Sequence, residues 1–256
     1  MKDLFLLKGK VAIVTGGNAG IGLGIARGLA DAGSDIVIAA RNQNKTTEAS
    51  RAIEKTCGVK VLGLQMDVRQ EEQIQTMVQQ VIAAFGRIDI LVNNAGINIR
   101  KAPQELEAAE WDEVLRVNLR SAFLCSKAVY PAMKKAGGGK IISIGSMTSI
   151  LGGAKLPAYG ASKGGIVQLT RSQAIAWAPD NIQVNAILPG WINTDLTIGA
   201  RRDLPGLQER VLSRTPAGRW GEPADLMGAA VFLASAASDF VTGVALPVDG
   251  GFSIMI

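Results

Sequence analysis

Short apolar runs alternate with amphipathic stretches along the whole chain. The apolar runs are continuous and rich in β-branched residues, which is typical of strands buried on both faces of a sheet. They predict strands at 11–14, 35–40, 59–66, 88–92, 140–144, 182–187 and 244–248. The stretches between them predict helices at about 21–32, 44–56, 71–85, 110–135 and 223–235.

Strands separated by helices of crossover length predict an α/β fold: a single Rossmann-type, doubly wound, parallel seven-stranded sheet with helices on both faces. No linker, low-complexity tract or short repeat divides the chain, so residues 1–256 are predicted to form one domain. Residues 189–222 interrupt the alternation with prolines and glycines, and we expect them to form a substrate lid. The glycines at 137–139 are expected to form a flexible connector.

Composition favours small-molecule chemistry. The 256 residues carry a formal charge of +5, but Lys and Arg are dispersed and aromatic residues are only 5%, which argues against nucleic acid. The chain has no histidine, so Ser-His nucleophiles, imidazole bases and HExxH zinc sites are excluded.

Two cysteines, Cys57 and Cys125, make neither a disulfide framework nor a four-ligand metal site, and no metal is predicted. The apolar run at 4–7 is too short for a secretory signal or a membrane span, so we expect a cytoplasmic protein without a membrane partner.

Two motifs carry candidate chemistry. The glycine-rich turn at 15–22 lies between the first predicted strand and the first helix, where glycines let the backbone approach a pyrophosphate. Tyr159 and Lys163 are four residues apart, so on a helix they share one face. A cation beside the phenol favours phenolate, and we expect Lys163 to lower the pKa of Tyr159 toward working pH.

The chain resembles the short-chain dehydrogenase/reductase family. The Thr-Gly-x-x-x-Gly-x-Gly turn at 15–22 matches the cofactor signature of that family, and 93–96 matches its second motif. Pro189, Gly190 and Thr194 match the motif after the sixth strand. The resemblance covers essentially the whole chain, and it implies a catalytic tetrad of Asn118, Ser146, Tyr159 and Lys163.

The resemblance also implies a role for each of these residues. Tyr159 would be the general acid/base, Lys163 would bind the nicotinamide ribose, and Ser146 would hold the substrate oxygen. Asn118 would anchor a water that links Lys163 to solvent, and Asp67 would accept the adenine amino group. The implied cofactor contacts are Gly16, Asn18, Gly20, Ile21, Gly22, Arg41, Asn42, Asp67, Val68, Asn94, Ala95, Gly96, Tyr159, Lys163, Pro189, Gly190, Ile192 and Thr194.

The end of the second strand predicts which cofactor binds. An acidic residue there binds the 2′-hydroxyl of NAD, whereas a basic one accommodates the 2′-phosphate of NADP. This chain has Arg41 and Asn42, which favours NADP and leaves NAD possible. Many NADP-preferring relatives carry a second basic residue where this chain has Ala19, so the preference is expected to be partial.

Within the family, the chain is similar to gluconate 5-dehydrogenases and related sugar-acid dehydrogenases at 94–101 and 215–223. The implied reaction interconverts a secondary alcohol and a ketone on a sugar acid or polyol. Arg100 is a candidate for the substrate carboxylate or a solvated loop residue, and Trp191 either closes the substrate pocket or packs the lid.

Other functions stay open at this stage. A 3-oxoacyl-[acyl carrier protein] reductase, with Arg120 and Lys127 in a basic patch, is the main alternative within the family, followed by other small-ketone reductases. A non-catalytic NADP-binding regulator is an alternative of a different class. The apolar last helix, last strand and C-terminal residues exceed what a monomer readily covers, and the resemblance implies a homotetramer.

Overall fold

The computed structural model describes residues 2–255, together with their side chains except those of residues 2, 3 and 203. The two end residues of the predicted domain 1–256 therefore lie outside it. The strands are β1 (Val11–Thr15), β2 (Asp35–Ala40), β3 (Val61–Gln65), β4 (Ile90–Asn93), β5 (Gly139–Ile144), β6 (Ile182–Pro189) and β7 (Ala245–Val248). The helices are α1 (Gly20–Asp31), α2 (Gln43–Cys57), α3 (Glu71–Phe85), α4 (Ala108–Leu115), α5 (Ser121–Lys135), α6 (Pro157–Trp177), α7 (Asp195–Asp203), α8 (Leu207–Arg214) and α9 (Met227–Ala234).

The seven strands form one sheet in the order β3-β2-β1-β4-β5-β6-β7, and every pairing is parallel. The predicted fold class is confirmed. Strand order reverses between β1 and β4, and this reversal opens a crevice at the carboxyl ends of the strands.

Both faces of the sheet are covered, because alternate residues of each strand point to opposite sides. In β1, Ala12 and Val14 pack toward α1, α2 and α9, whereas Val11 and Ile13 pack toward α3 and α5. These four side chains are at most 3% exposed. The apolar composition of the strands thus follows from burial on both sides.

The helix predicted at 110–135 is interrupted. α4 ends at Leu115, a π-helical turn spans Arg116–Arg120, and α5 begins at Ser121. Periodicity cannot reveal such a turn, because one extra residue per turn shifts the apolar face without removing it. The last predicted helix, 223–235, likewise begins as a 3-10 turn at Pro223–Leu226 before α9.

The glycines at 137–139 are not the flexible connector that we expected. The Gly138 N–H donates to the Met133 carbonyl, and Gly139 already belongs to β5. A Cβ on Gly138, whose φ is +148°, would lie 2.6 Å from Asn181. Gly138 is therefore required by the close approach of its turn to Asn181.

Residues 189–222 contain α7 and α8. Their apolar side chains (Ala200, Leu207 and Val211) pack with Trp220 in a small cluster apart from the main core. Among the described residues, none of the helices combines the length and the apolar character needed to cross a lipid bilayer.

Candidate active site

A cavity of about 770 Å³ runs along the carboxyl ends of the strands. Every residue that the sequence assigned to the cofactor lines it, and so does Ser146. Three other predicted site residues, Asn118, Arg100 and Trp191, are not part of its lining. Several other lining residues were not predicted from the sequence, among them Lys45, Met66, Arg69, Ile97, Val117 and Thr197.

The glycine turn between β1 and α1 is packed tightly against the end of β4. The Asn94 side-chain amide donates to the carbonyls of Thr15 at 2.9 Å and Gly16 at 3.1 Å. A Cβ on Gly22 would lie 2.4 Å from the Asn94 Nδ2 atom and from the Gly16 carbonyl oxygen. Because no side chain fits there, the backbone of the turn itself lines the cavity, where a pyrophosphate could approach it.

Tyr159 and Lys163 lie in the first two turns of α6, facing β5. The Lys163 side chain is buried, with its Nζ donating to the Ile144 carbonyl at 2.7 Å and lying 5.6 Å from the centre of the Tyr159 ring. Ser146 follows β5 and lines the same cavity, where its hydroxyl accepts from the Thr148 N–H at 3.2 Å. Three of the four proposed tetrad residues thus meet at one end of the cavity.

Burial is the main cause of the pKa shifts of Tyr159 and Lys163. It raises the pKa of Tyr159, against smaller opposing effects of the Ser146 hydrogen bond and the Arg100 charge. It also lowers the pKa of Lys163 to about 8. The expected lowering of the Tyr159 pKa by Lys163 was therefore wrong for this geometry, because the Lys163 ammonium is directed to the Ile144 carbonyl.

Asn118 lies on the π-helical turn, next to the cavity rather than in it. Its Nδ2 donates to the Ile97 carbonyl at 2.9 Å and to the Ser162 hydroxyl at 3.0 Å, while its Oδ1 accepts from the Ile97 N–H at 2.8 Å. Ser162 in turn donates to the Tyr159 carbonyl at 2.7 Å. Asn118 therefore joins the loop after β4 to the helix that carries Tyr159, and its proposed water contact stays a prediction.

At the opposite end of the cavity, Asp67 is bound by Arg69, which was not predicted as a site residue. Arg69 donates from its Nε to both Asp67 carboxylate oxygens, at 3.0 and 2.9 Å, and from its Nη1 to Glu113 at 2.7 Å. These hydrogen bonds lower the pKa of Asp67, despite the opposing effect of burial. The position of Arg69 two residues after Asp67 is the one feature of the sequence that could have predicted this ion pair.

Arg41 and Asn42 follow β2, as predicted, and line the cavity. Asn42 is the N-cap of α2, because its side chain accepts from the Lys45 N–H at 3.0 Å. Asn18 in the glycine turn donates to Thr46 at 3.1 Å, which joins the turn to the start of α2. No carboxylate occupies either of the first two positions after β2.

The two candidate substrate residues lie outside this cavity. Trp191 stacks edge-on against Trp220 at 5.4 Å between ring centres, and it lines a separate 240 Å³ cavity. This position supports the interpretation that Trp191 packs the predicted lid and does not close the substrate pocket. Arg100 lies close enough for its charge to act on Tyr159, so its interpretation as a substrate contact stays a prediction.

Comparison with known proteins identifies the family. A family model described as enoyl-(acyl carrier protein) reductase matches residues 16–253. The chain is 46% identical to the 2-dehydro-3-deoxy-D-gluconate 5-dehydrogenase of Escherichia coli, over 97% of each chain, and 41% identical to the 5-keto-D-gluconate 5-reductase of Escherichia coli, over 100% of each. A crystal structure of a gluconate 5-dehydrogenase from Burkholderia cenocepacia in complex with NADP and tartrate superposes with a TM-score of 0.95 at 42% identity, over 100% of this chain and 99% of that one.

These matches extend over nearly the whole chain, and the cleft brings the glycine turn, Ser146, Tyr159 and Lys163 together. The chain belongs to the short-chain dehydrogenase/reductase family of oxidoreductases, whose named relatives act on CH–OH groups.

Proposed function

We propose that this protein is an NADP(H)-dependent oxidoreductase that interconverts a secondary alcohol and a ketone on a sugar acid. One observation carries the proposal: a single cleft is lined by Ser146, Tyr159 and Lys163 at one end and by Arg41 at the other. The named relatives add the substrate class, since they act on gluconate derivatives. Two further solved structures of similar proteins, one of a proposed gluconate 5-dehydrogenase, are described with bound NADP.

The chain's own residues account for the proton chemistry. Tyr159 exchanges a proton with the substrate oxygen, and the Ser146 hydroxyl, which lines the same cavity, donates to that oxygen. The Lys163 ammonium lies 5.6 Å from the centre of the Tyr159 ring and would hydrogen-bond the nicotinamide ribose. The bound nicotinamide would supply or accept the hydride, and the residues from Gly16 to Gly22 and Asn94 to Gly96 would hold it.

Arg100 is proposed to meet the substrate carboxylate. Its charge acts on Tyr159, and a guanidinium can bind a carboxylate through two parallel hydrogen bonds. The main alternative, an acyl carrier protein reductase, is not favoured by the names of the relatives. Arg120, proposed for its basic patch, is paired with Glu71 at 3.6 Å.

We also propose a homotetramer in the cytoplasm. A groove of about 780 Å³ between α4, α5 and α6 is lined by the apolar Leu115, Leu119, Phe123 and Leu169, with Asp112 and Arg116 among its charged residues. Apolar and oppositely charged residues on one surface suit a two-fold interface with a second copy of this chain. The free thiols of Cys57 and Cys125 fit a reducing compartment.

The test is a spectrophotometric assay of NADP and NAD with sugar acids, polyols and β-ketoesters, run on the wild type and on Tyr159→Phe. We expect turnover of a sugar acid with NADP, and a loss of at least about a hundred-fold in Tyr159→Phe with little change in NADP affinity. Turnover of β-ketoesters alone would overturn the substrate class. Binding of NADP with no turnover of any substrate would favour the regulator.

A further inference from the structure

A second cation, Lys45, faces the part of the cleft where Arg41 lies. Lys45 is in the first turn of α2 and lines the same cavity as Arg41 and Asn42. Ala19 provides no charge in the glycine turn. We propose that Lys45 is a determinant of cofactor specificity that binds the 2′-phosphate of NADP together with Arg41, an inference that rests on the proposed NADP dependence.

Both charges are available to a ligand. Within residues 2–255, neither the Arg41 guanidinium nor the Lys45 ammonium makes an ion pair or a side-chain hydrogen bond. The acidic group nearest to Arg41 in the cleft, Asp67, is already bound by Arg69 through two side-chain nitrogens. Glu48, one turn after Lys45, is exposed and makes no ion pair with it. A dianionic phosphate is the ligand that two unpaired cations favour.

The backbone that carries the two cations is fixed against the cofactor turn. Gln65 donates to the Arg41 carbonyl at 3.2 Å, and the Asn42 side chain holds the Lys45 N–H at 3.0 Å. Asn18 donates to Thr46, whose side chain is buried and itself donates to the Asn42 carbonyl at 2.8 Å. These hydrogen bonds therefore fix the position of the Lys45 backbone relative to the pyrophosphate turn.

Helix stability does not explain this lysine. A cation in the first turn of a helix opposes the helix dipole, and the first turn of α2 has no acidic residue to offset it. Lys55, in contrast, lies in the last turn of the same helix, where the dipole favours a cation. A residue that is unfavourable for its own element and lines a ligand cleft is best explained by the ligand.

The test measures binding directly by calorimetry on the full chain, with NADP and NAD as ligands, and compares Lys45→Gln with Lys55→Gln as the matched control. We expect the NADP Kd of Lys45→Gln to rise about five- to twenty-fold, and its NAD Kd to change less than about two-fold. Lys55→Gln should leave both constants within about two-fold of the wild type. Adenosine 2′,5′-bisphosphate and adenosine 5′-monophosphate, which lack the nicotinamide, should show the same discrimination.

Thermal unfolding separates a binding role from a structural one. Because Lys45 opposes the helix dipole, the Tm of ligand-free Lys45→Gln should equal or exceed that of the wild type. Equal weakening of NADP and NAD, or a lowered Tm, would overturn the assignment. A wild type that binds NADP no better than NAD would overturn the proposed cofactor instead, whereas a wild-type preference that Lys45→Gln retains would overturn the role of Lys45 alone.

Discussion

At the residue scale, the site depends on burial more than on pairing. Lys163 is 4% exposed, and among the side chains that the structure describes no carboxylate pairs with it; its Nζ donates to the Ile144 carbonyl at 2.7 Å. Desolvation therefore lowers its pKa to about 8 and raises that of Tyr159. The two pKa values move apart, because desolvation disfavours the charged form of each group: the ammonium of Lys163 and the phenolate of Tyr159.

The pH dependence of stability follows from the lowered pKa of Lys163. Between about pH 8 and its ordinary value of 10.5, the unfolded chain holds more protons than the folded chain, so stability rises with pH. The wild type should gain about 2 kcal/mol of unfolding free energy relative to Lys163→Met between about pH 8 and pH 10. Denaturant unfolding at several pH values measures this difference, and parallel curves for the two proteins would contradict it.

Cofactor choice also depends on a single side chain, Arg41. Arg41→Asp introduces a carboxylate that accepts from the 2′-hydroxyl of NAD and repels the 2′-phosphate of NADP. The ratio of kcat/KM for NADP to that for NAD should fall at least about ten-fold. Arg51→Asp, an exposed position on α2, is the control and should leave the ratio unchanged. An unaltered ratio in Arg41→Asp would refute the phosphate assignment.

At the element scale, irregular backbone positions the chemistry. The π-helical turn Arg116–Arg120 carries Asn118, whose three hydrogen bonds connect the loop after β4 with α6. A second set of contacts holds residues 189–222, the segment predicted to form the lid. Arg201 of α7 lies 4.3 Å over the Trp220 ring and donates to Asn193 at 2.7 Å, and Asn193 also donates to Glu222.

Removing the Arg201 side chain should loosen the lid without affecting the chemical step. Arg201→Ala loses a cation–π contact and a charge-assisted hydrogen bond, so the substrate KM should rise about three- to ten-fold. The kcat and the NADP Kd should change less than about two-fold. Arg210→Ala, on the exposed face of α8, is the control. A fall in kcat with an unchanged KM would show that Arg201 acts on the reaction itself.

At the scale of the whole molecule, the groove between α4, α5 and α6 leaves apolar side chains in contact with solvent. Phe123 is 45% exposed in the groove between α4, α5 and α6, and a Cβ on Gly165 would lie 2.7 Å from Leu119. The helices of this groove also carry Asn118, Tyr159 and Lys163. Covering the groove with a second subunit would therefore stabilise the elements that position the tetrad.

The oligomer prediction is tested at Phe123. A charge placed in the groove would be buried by the partner subunit, so Phe123→Glu should reduce the tetramer to smaller species in light scattering at micromolar concentration. Ile82→Glu, at a partly exposed apolar position of α3 outside the groove, should not. A wild type that is monomeric would contradict the tetramer, and an unchanged mass of Phe123→Glu would contradict this interface.

The alternation of apolar runs and helices was enough to predict the strands and the parallel sheet, because burial on both faces leaves a continuous apolar signal. The glycine turn and the Tyr159–Lys163 pair were also readable, because local spacing determines their geometry. Tertiary structure alone decided the rest. Lys45 and Arg69 entered the cleft because α2 and the loop after β3 fold back on the glycine turn. The direction of the Tyr159 pKa depended on how completely α6 and β5 exclude water, which no local pattern encodes.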